Sequence, residues 1–432
     1  MSQVDFLDNV KVNLETMTRC GGSCDGCILL NDERKHGNLW GASRLNRLTS
    51  IVSEFIEGHL NRFDPLEVSI NCGQGDHLLA ESVDLDALVR WIGEAGQGRA
   101  IGFLTASAVG RPDRVQRAVD AIRNASLRLN QPIMLDLVFD PVKTTVGNFR
   151  GAYAGNIEYI RDAFGEVDFT VNIGPDTLQV ISPDTMHAFL GASGIGRFTL
   201  NFVPTRHTAP MFQDHWRSIM AWSGEFLRRW GPHCGYEINF GQAISVIMQG
   251  AKGLEAEGPT ELARLVNLSA GRSLFIDHTD WIWHSQEGFG DIAFSGRVGW
   301  APSTRLPSTG QAFHSIQSSA RRFTARLLGD FESDNRCTGC RFNLVCPRIG
   351  AGALRSAFGP TGVDDNCPTG LYPLLETFEQ LGLDNNLESL TCRKDFTHLP
   401  VGFGSTVRPH AAPVTRSPPA LSMHHITKET SA

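Results

Sequence analysis

Three things are missing from this 432-residue chain, and each absence excludes something. No run of about 18 apolar residues occurs, so no membrane-spanning helix is expected. The start, MSQVDFLDNVKVNLE, has no basic segment leading into an apolar core, so it does not read as a secretory signal. Positive charge is not in excess: 39 Lys and Arg stand against 46 Asp and Glu, a net charge of -7. A general nucleic-acid binder needs a basic face to meet phosphates, so no nucleic-acid partner is expected. These absences point to the cytoplasm, where thiols stay reduced. Ten cysteines in that setting read as metal or redox ligands before disulfides. What is present is ordinary for a globular protein: 41% hydrophobic and 20% charged residues. The length allows one large domain plus a smaller one.

Up to about residue 235, short apolar runs alternate with helical patterns. VKVNLETMT (10–18), LEVSINCG, AIGFLTAS, PIMLDLVFD, VDFTVNIG and RFTLNFVPT read as six strands. Between and after them lie segments with apolar residues at helical spacing, such as DRVQRAVDAIRNASLRL and QDHWRSIMAWSGEFLRRWG. Repeated strand–helix alternation means parallel strands joined by helical crossovers. The fold class expected is α/β, either a doubly wound sheet or a partial (β/α)6 TIM-like barrel. In both, functional loops gather at the C-terminal ends of the strands.

Residues 236–330 read differently. YEINFGQAISVIMQ fits one more strand and helix, and SLFIDHTDWIWHSQEGFGDIAFSGRVGW reads as antiparallel strands, a connecting segment with a β-hairpin. Residues 331–400 form a small cysteine-rich module. Residues 401–432, rich in Pro, Ser and Thr, are expected to be disordered.

The cysteines fall into two groups. Cys20, Cys24 and Cys27 lie in MTRCGGSCDGC, directly after the first strand, and Cys337, Cys340, Cys346 and Cys367 lie in the C-terminal module. Cys72, Cys234 and Cys392 stand apart and read as small buried hydrophobes. A structural zinc site normally takes four Cys or His ligands as two close pairs, and three crowded cysteines match that poorly. Iron–sulfur clusters favour tight runs of thiolates among small residues. Gly21, Gly22, Ser23 and Gly26 would let the backbone wrap closely around one. Three ligands would leave one iron of a [4Fe–4S] cluster open.

Cys-x3-Cys-x2-Cys after the first strand of a β/α array resembles the radical S-adenosylmethionine (SAM) superfamily. The resemblance implies that Cys20, Cys24 and Cys27 hold a [4Fe–4S] cluster whose open iron chelates SAM. It implies reductive cleavage of SAM to methionine and a 5′-deoxyadenosyl radical that abstracts hydrogen from a substrate. The chemistry belongs to the cofactor, and the protein binds, orients and excludes water. Many members carry an aromatic residue just before the third cysteine. Gly26 stands there, so any contact with the adenine would be through its backbone. NCGQGDHLL, at the end of the second strand, sits where the superfamily carries a Gly-Gly-Glu-like motif. Gly73, Gln74, Gly75 and Asp76 would then receive the ammonium of SAM, which needs convergent acceptors. Asp140 at the end of the fourth strand and Asn172 in the fifth are candidates for ribose or carboxylate contacts, with a strand-end cap as the alternative. Thr205, Arg206 and His207 lie near the same mouth and read as an ordinary loop.

Cys337-x2-Cys340-x5-Cys346, followed by Cys367-Pro, resembles the SPASM extension behind many radical SAM barrels. Gly350 stands where the full pattern has a further cysteine, and no upstream cysteine appears in the hairpin. The resemblance therefore implies a reduced, SPASM-like or twitch-like module with one auxiliary [4Fe–4S] cluster. Four cysteines equally suit a structural zinc site. The resemblance spans roughly residues 8 to 380. It implies a peptide or protein substrate, or alternatively a small molecule such as an amino sugar, with a reducing donor such as flavodoxin or ferredoxin. The first strand begins so early that recognition of a peptide would fall to a separate carrier. The alternative from another class is a non-catalytic iron–sulfur or zinc scaffold.

Overall fold

A computed structural model describes residues 9–21, 31–61, 67–139, 150–165, 167–192, 195, 197–201, 209–229, 237–240, 272–276, 281–283, 304–305, 307, 310–343, 346, 362–363 and 366–380. Cys24, Gly26, Cys27, Asp140, residues 205–207, Cys234, Gly350, Cys392 and the tail 401–432 lie outside the described residues.

All six expected strand–helix units are present. β1 (Asn9–Met17) is followed by α1 (Asn31–His36) and α2 (Ala42–Leu60), then by β2 (Glu67–Gln74) and α3 (Ser82–Ala95). Next come β3 (Ala100–Ala106), α4 (Pro112–Leu129), β4 (Ile133–Phe139) and α5 (Arg150–Phe164). β5 (Asp168–Asn172) leads to α6 (Pro175–Val180) and α7 (Pro183–Ala192), and β6 (Arg197–Asn201) to α8 (Ala209–Arg229). The boundaries follow local chemistry. α4 opens with Pro112 in its first turn and Asp113 complementing the helix dipole, and it ends on left-handed Asn130.

The further strands expected after residue 235 join the same sheet. Its order is β10-β9-β8-β1-β2-β3-β4-β5-β6-β7, with β7 (Glu237–Phe240), β8 (Ser273–Ile276), β9 (Trp281–Trp283) and β10 (Thr304–Arg305) drawn from the stretch expected to be a connector. β8 is antiparallel to β9, as the hairpin reading expects, but it also pairs in parallel with β1, Lys11 opposite Ser273. β1 is therefore flanked on both sides rather than at an edge. That pairing joins segments distant in sequence, and no local pattern encodes it. Among the described residues no ladder joins β7 to β10, so the sheet is an open, partial barrel.

The two faces of the sheet differ. Val10, Val12 and Leu14 of β1, Val68, Ile70 and Cys72 of β2, and Leu135 and Leu137 of β4 join Leu45, Leu48, Phe55, Leu88 and Val119 from the helices in one apolar core. The alternate positions carry polar groups. Rows across the strands read Lys11–Ser69, Asn13–Asn71 and Glu15–Gly73, continued by Thr105 and Asp136. Lys11, Asn13, Glu15, Ser69, Asn71, Thr105, Asp136 and Thr170 are all buried. Parallel strands with helices on both faces carry near-continuous apolar runs. Strict alternation here marks a face that curls inward instead.

The C-terminal part begins with α9 (Ala312–Glu332), followed by α10 (Asn335–Thr338) and α11 (Tyr372–Gln380). α9 packs on α2, and α11 on α8. Glu54 of α2 accepts the backbone N–H groups of Gly310 (2.6 Å) and Phe313 (3.4 Å) at the start of α9, satisfying donors that a helix N-terminus leaves open.

Candidate functional site

The chain leaving β1 at Met17 returns to it at Leu39 and Trp40, after α1, and backbone bonds close the excursion. Trp40 N–H donates to Thr16 O (2.8 Å), Met17 bridges Leu39, and Cys20 N–H donates to Arg34 O (3.1 Å). Cys20, partly exposed, stands at the base of this loop. The loop after β2 is clamped to the same place. Gly75 N–H donates to Met17 O (2.7 Å) and Asp76 N–H to Arg19 O (2.9 Å). A Cβ on Gly75 would collide with Arg19 O and lie 2.9 Å from Met17 O, so only glycine permits this approach. Cys20 and Gly73 to Asp76 are thus brought together at the C-terminal end of the sheet.

The side chains behind them are fixed. Asp76, 1% exposed, caps the short 3-10 turn His77–Leu79. Its Oδ1 accepts from Leu78 N–H (3.1 Å) and its Oδ2 from the Ser107 hydroxyl. Burial pushes its pKa up, opposed by these bonds. The carboxylate is turned inward, toward Leu78 and Ser107. His77 is wholly buried. Its Nδ1 lies 2.8 Å from Thr105 O and its Nε2 2.9 Å from Thr16 Oγ1. A carbonyl only accepts, so Nδ1 carries the proton and Nε2 accepts from Thr16. Burial holds this imidazole neutral, its pKa pushed down to about 4. His77 therefore bolts the ends of β1, β2 and β3 together. Arg114 of α4 donates to Leu79 O from outside. Asn172 ends β5 at the same end of the sheet, in register with Asn201 of β6. Sequence reasoning missed the inward polar rows. The signal was there in the period-2 alternation of VKVNLET, EVSIN and DFTVN.

The second cysteine set converges as its spacing suggests. Cys337, Cys340, Cys346 and Cys367 line one small cavity together with Arg336, Asn343, Thr369 and Tyr372. All four are thiols outside disulfides. Tight turns bring the first three round: Cys340 N–H donates to Cys337 O (3.2 Å), Asn343 N–H to Cys340 O (3.0 Å) and Cys346 N–H to Phe342 O (2.7 Å). Phe342 N–H points at Cys340 Sγ (3.4 Å), and the Thr369 hydroxyl lies 3.4 Å from Cys367 Sγ. Burial raises the Cys340 thiol pKa, offset by the Phe342 N–H, with the nearby Cys367 pushing it further up. Among the described residues no three His, Cys, Asp or Glu side chains are gathered tightly enough to hold one metal ion.

Side chains dock this module on the barrel. The indole of Trp216 on α8 donates to Thr369 O (2.9 Å), and its ring fills the space beside Gly370, whose φ of +65° and missing Cβ make room for it. Gln213 donates to Gly362 O (3.3 Å) and Arg228 to Thr377 Oγ1 (3.1 Å). Arg341 lies over the rings of Phe342 and Tyr372 and pairs with Glu376 (3.1 Å) and Glu379 (3.0 Å).

No family model and no curated protein matches this sequence. Solved structures do match. "Native anSMEcpe with bound AdoMet" aligns at a TM-score of 0.52 with 9% identity, covering 89% of this chain and 100% of that one. The same protein with AdoMet and a Cp18Cys peptide aligns equally well, and a polyhistidine-tagged form with AdoMet aligns at 0.51 with 10% identity over 88% and 99% of the two chains. The chain thus shares the fold of these structures, a partial β/α barrel followed by a C-terminal extension.

Proposed function

We propose that this protein is a radical SAM enzyme that acts on a peptide or protein. One observation carries the reading. The loop after β2 is hydrogen-bonded through Gly75 and Asp76 to Met17 and Arg19, just before Cys20, so it lies beside the start of the first cysteine loop. The residues present fit the cofactors. Cys20, Cys24 and Cys27 would hold a [4Fe–4S] cluster, and the carbonyls of Gly73 and Gln74 are acceptors for the ammonium of SAM. Asp76, engaged by Ser107 and Leu78, shapes that loop rather than reaching the ligand. Asp140 and Asn172 remain candidates for the ribose and carboxylate, and Gly26 for a backbone contact to the adenine. When bound, the cluster and SAM supply an electron and a 5′-deoxyadenosyl radical. The chain's own residues hold the loop ends in register and keep a polar, enclosed face beneath them.

Cys337, Cys340, Cys346 and Cys367 would hold an auxiliary [4Fe–4S] cluster. Four cysteine thiolates can ligate a cubane or a zinc ion, and metal analysis separates the two. The peptide reading is supported by the neighbouring structure solved with a peptide bound. A reduced flavodoxin or ferredoxin would deliver the electron in the cytoplasm. No helix among the described residues is long and apolar enough to cross a membrane.

The test is anaerobic reconstitution with iron and sulfide, followed by SAM and dithionite. About eight irons, as two cubanes, and 5′-deoxyadenosine are the expected result. Cys24→Ala should abolish SAM cleavage while leaving about four irons on the C-terminal module. Cleavage that persists in that variant, or zinc bound with SAM untouched, would overturn the assignment.

A further inference from the structure

Asn71 is a buried amide whose carbonyl accepts no hydrogen bond from the described residues. It lies on β2, two residues before Gly73, and is 5% exposed. Ile70 and Cys72 on either side of it join the helix-packed core, so strand alternation turns Asn71 to the inner face. Its Nδ2 lies 3.5 Å from Ser69 Oγ on that face, while its Oδ1 has no hydrogen-bond partner among the described residues. Buried polar atoms are nearly always paired, and one that is not asks for an explanation. The row containing it supplies one. Asn71 stands opposite Asn13 on β1 and Phe103 on β3, and Asn13 stands opposite Phe275 on β8. Two adjacent amides are flanked by phenyl rings, one layer beneath Gly73 and the first cysteine loop.

We propose that Asn71 is a specificity-determining residue whose Oδ1 accepts a hydrogen bond from a neutral N–H or O–H of the substrate. This rests on the enzymatic reading above, under which a peptide amide is the group supplied. Phe103 and Phe275 stand in the same row, and Lys11 and Glu15 occupy the rows on either side. A substrate lacking that donor would leave the acceptor unpaired and be rejected, as polar sites reject analogues that miss a hydrogen bond.

A residue kept for a ligand is not optimised for stability, and that separates this role from a structural one. Leu matches Asn in heavy-atom count and removes the lone acceptor. In melts of the reconstituted protein, Asn71→Leu is expected to raise the melting temperature by about 2 °C. Asn71→Ala guards against a steric failure of the leucine. Either variant melting at or above the wild type supports the proposal. Both melting below it would mean that a structural water satisfies Oδ1 and would overturn it. 5′-Deoxyadenosine from the same wild-type sample reports separately on SAM cleavage, so failure of the enzymatic reading is distinguishable from failure at Asn71.

Discussion

The two cysteine regions hang on one barrel but are held by different means. The first is stapled by main chain: four backbone bonds tie residues 16–20 to Arg34, Trp40, Gly75 and Asp76. The second is held by side chains, with Trp216, Gln213 and Arg228 reaching from α8 to the cysteine module. Main-chain bonds tolerate many substitutions nearby but fail where the backbone must come unusually close. Side-chain anchors fail one residue at a time. The first region should therefore be vulnerable at a glycine and at its buried histidine, and the second at a tryptophan.

The largest effect is expected at the second region. Trp216 is fully buried, and Trp216→Ala should cost about 3–5 kcal/mol. Iron analysis should fall from about eight to about four atoms per chain as the auxiliary site is lost. Trp216→Phe, which gives up the bond to Thr369 O, should cost only about 1 kcal/mol and keep the iron. Equal losses in both variants would mean that the hydrogen bond, not the packing, is the anchor.

A pH titration probes the first region. His77 titrates near 4 in the folded protein against about 6.5 when unfolded. A depressed histidine pKa means the unfolded chain takes up the proton first. Stability present above about pH 6.5 is then lost as pH falls toward 4, by about 3 kcal/mol over the window. Asp76, whose pKa burial raises, has the opposite sign: its contribution is lost as pH rises through its folded pKa. Comparing wild type with His77→Gln isolates the histidine, because only the wild type should carry that slope. Identical melting profiles between pH 7 and 4.5 would contradict the buried, neutral imidazole.

A smaller effect than Trp216→Ala or the loss of the histidine's contribution should come from Gly75→Ala. Its Cβ would run into Arg19 O and Met17 O, forcing the β2 loop off the β1 end at a cost of about 2 kcal/mol, typical of overpacking. The main consequence should be weakened SAM binding, measured by equilibrium titration, with the C-terminal iron unaffected. Loss of C-terminal iron instead would show that the two regions are not independent.

Much of this was legible in the sequence. The six strands from VKVNLETMT to RFTLNFVPT and their helices follow from local period, and their ends fall within a few residues of the observed ones. The positions of Cys20 and Gly73 to Asp76 at strand ends follow from the same reading. What could not be read is non-local. β8 beside β1 depends on a pairing across most of the chain, and the Trp216 anchor depends on α8 meeting the turn at Thr369. Asp76 shows a subtler limit. Its place in a motif points toward a ligand, while its side chain is claimed by Ser107 from the next strand, a neighbour that sequence spacing does not reveal.

The position of β8 has a consequence for how the protein is made. β1 carries the first cysteine loop, yet one of its edges stays unpaired until Ser273 to Ile276 have been synthesised, about 260 residues later. At about 5–20 residues per second, that is a delay of about 10–50 s on the ribosome. An uncovered strand edge is a template for wrong partners, so the nascent chain passes through a period in which β1 needs shielding. Under the proposed reading, loading of a cluster at Cys20 before β8 arrives would take place on a strand framed on one side only.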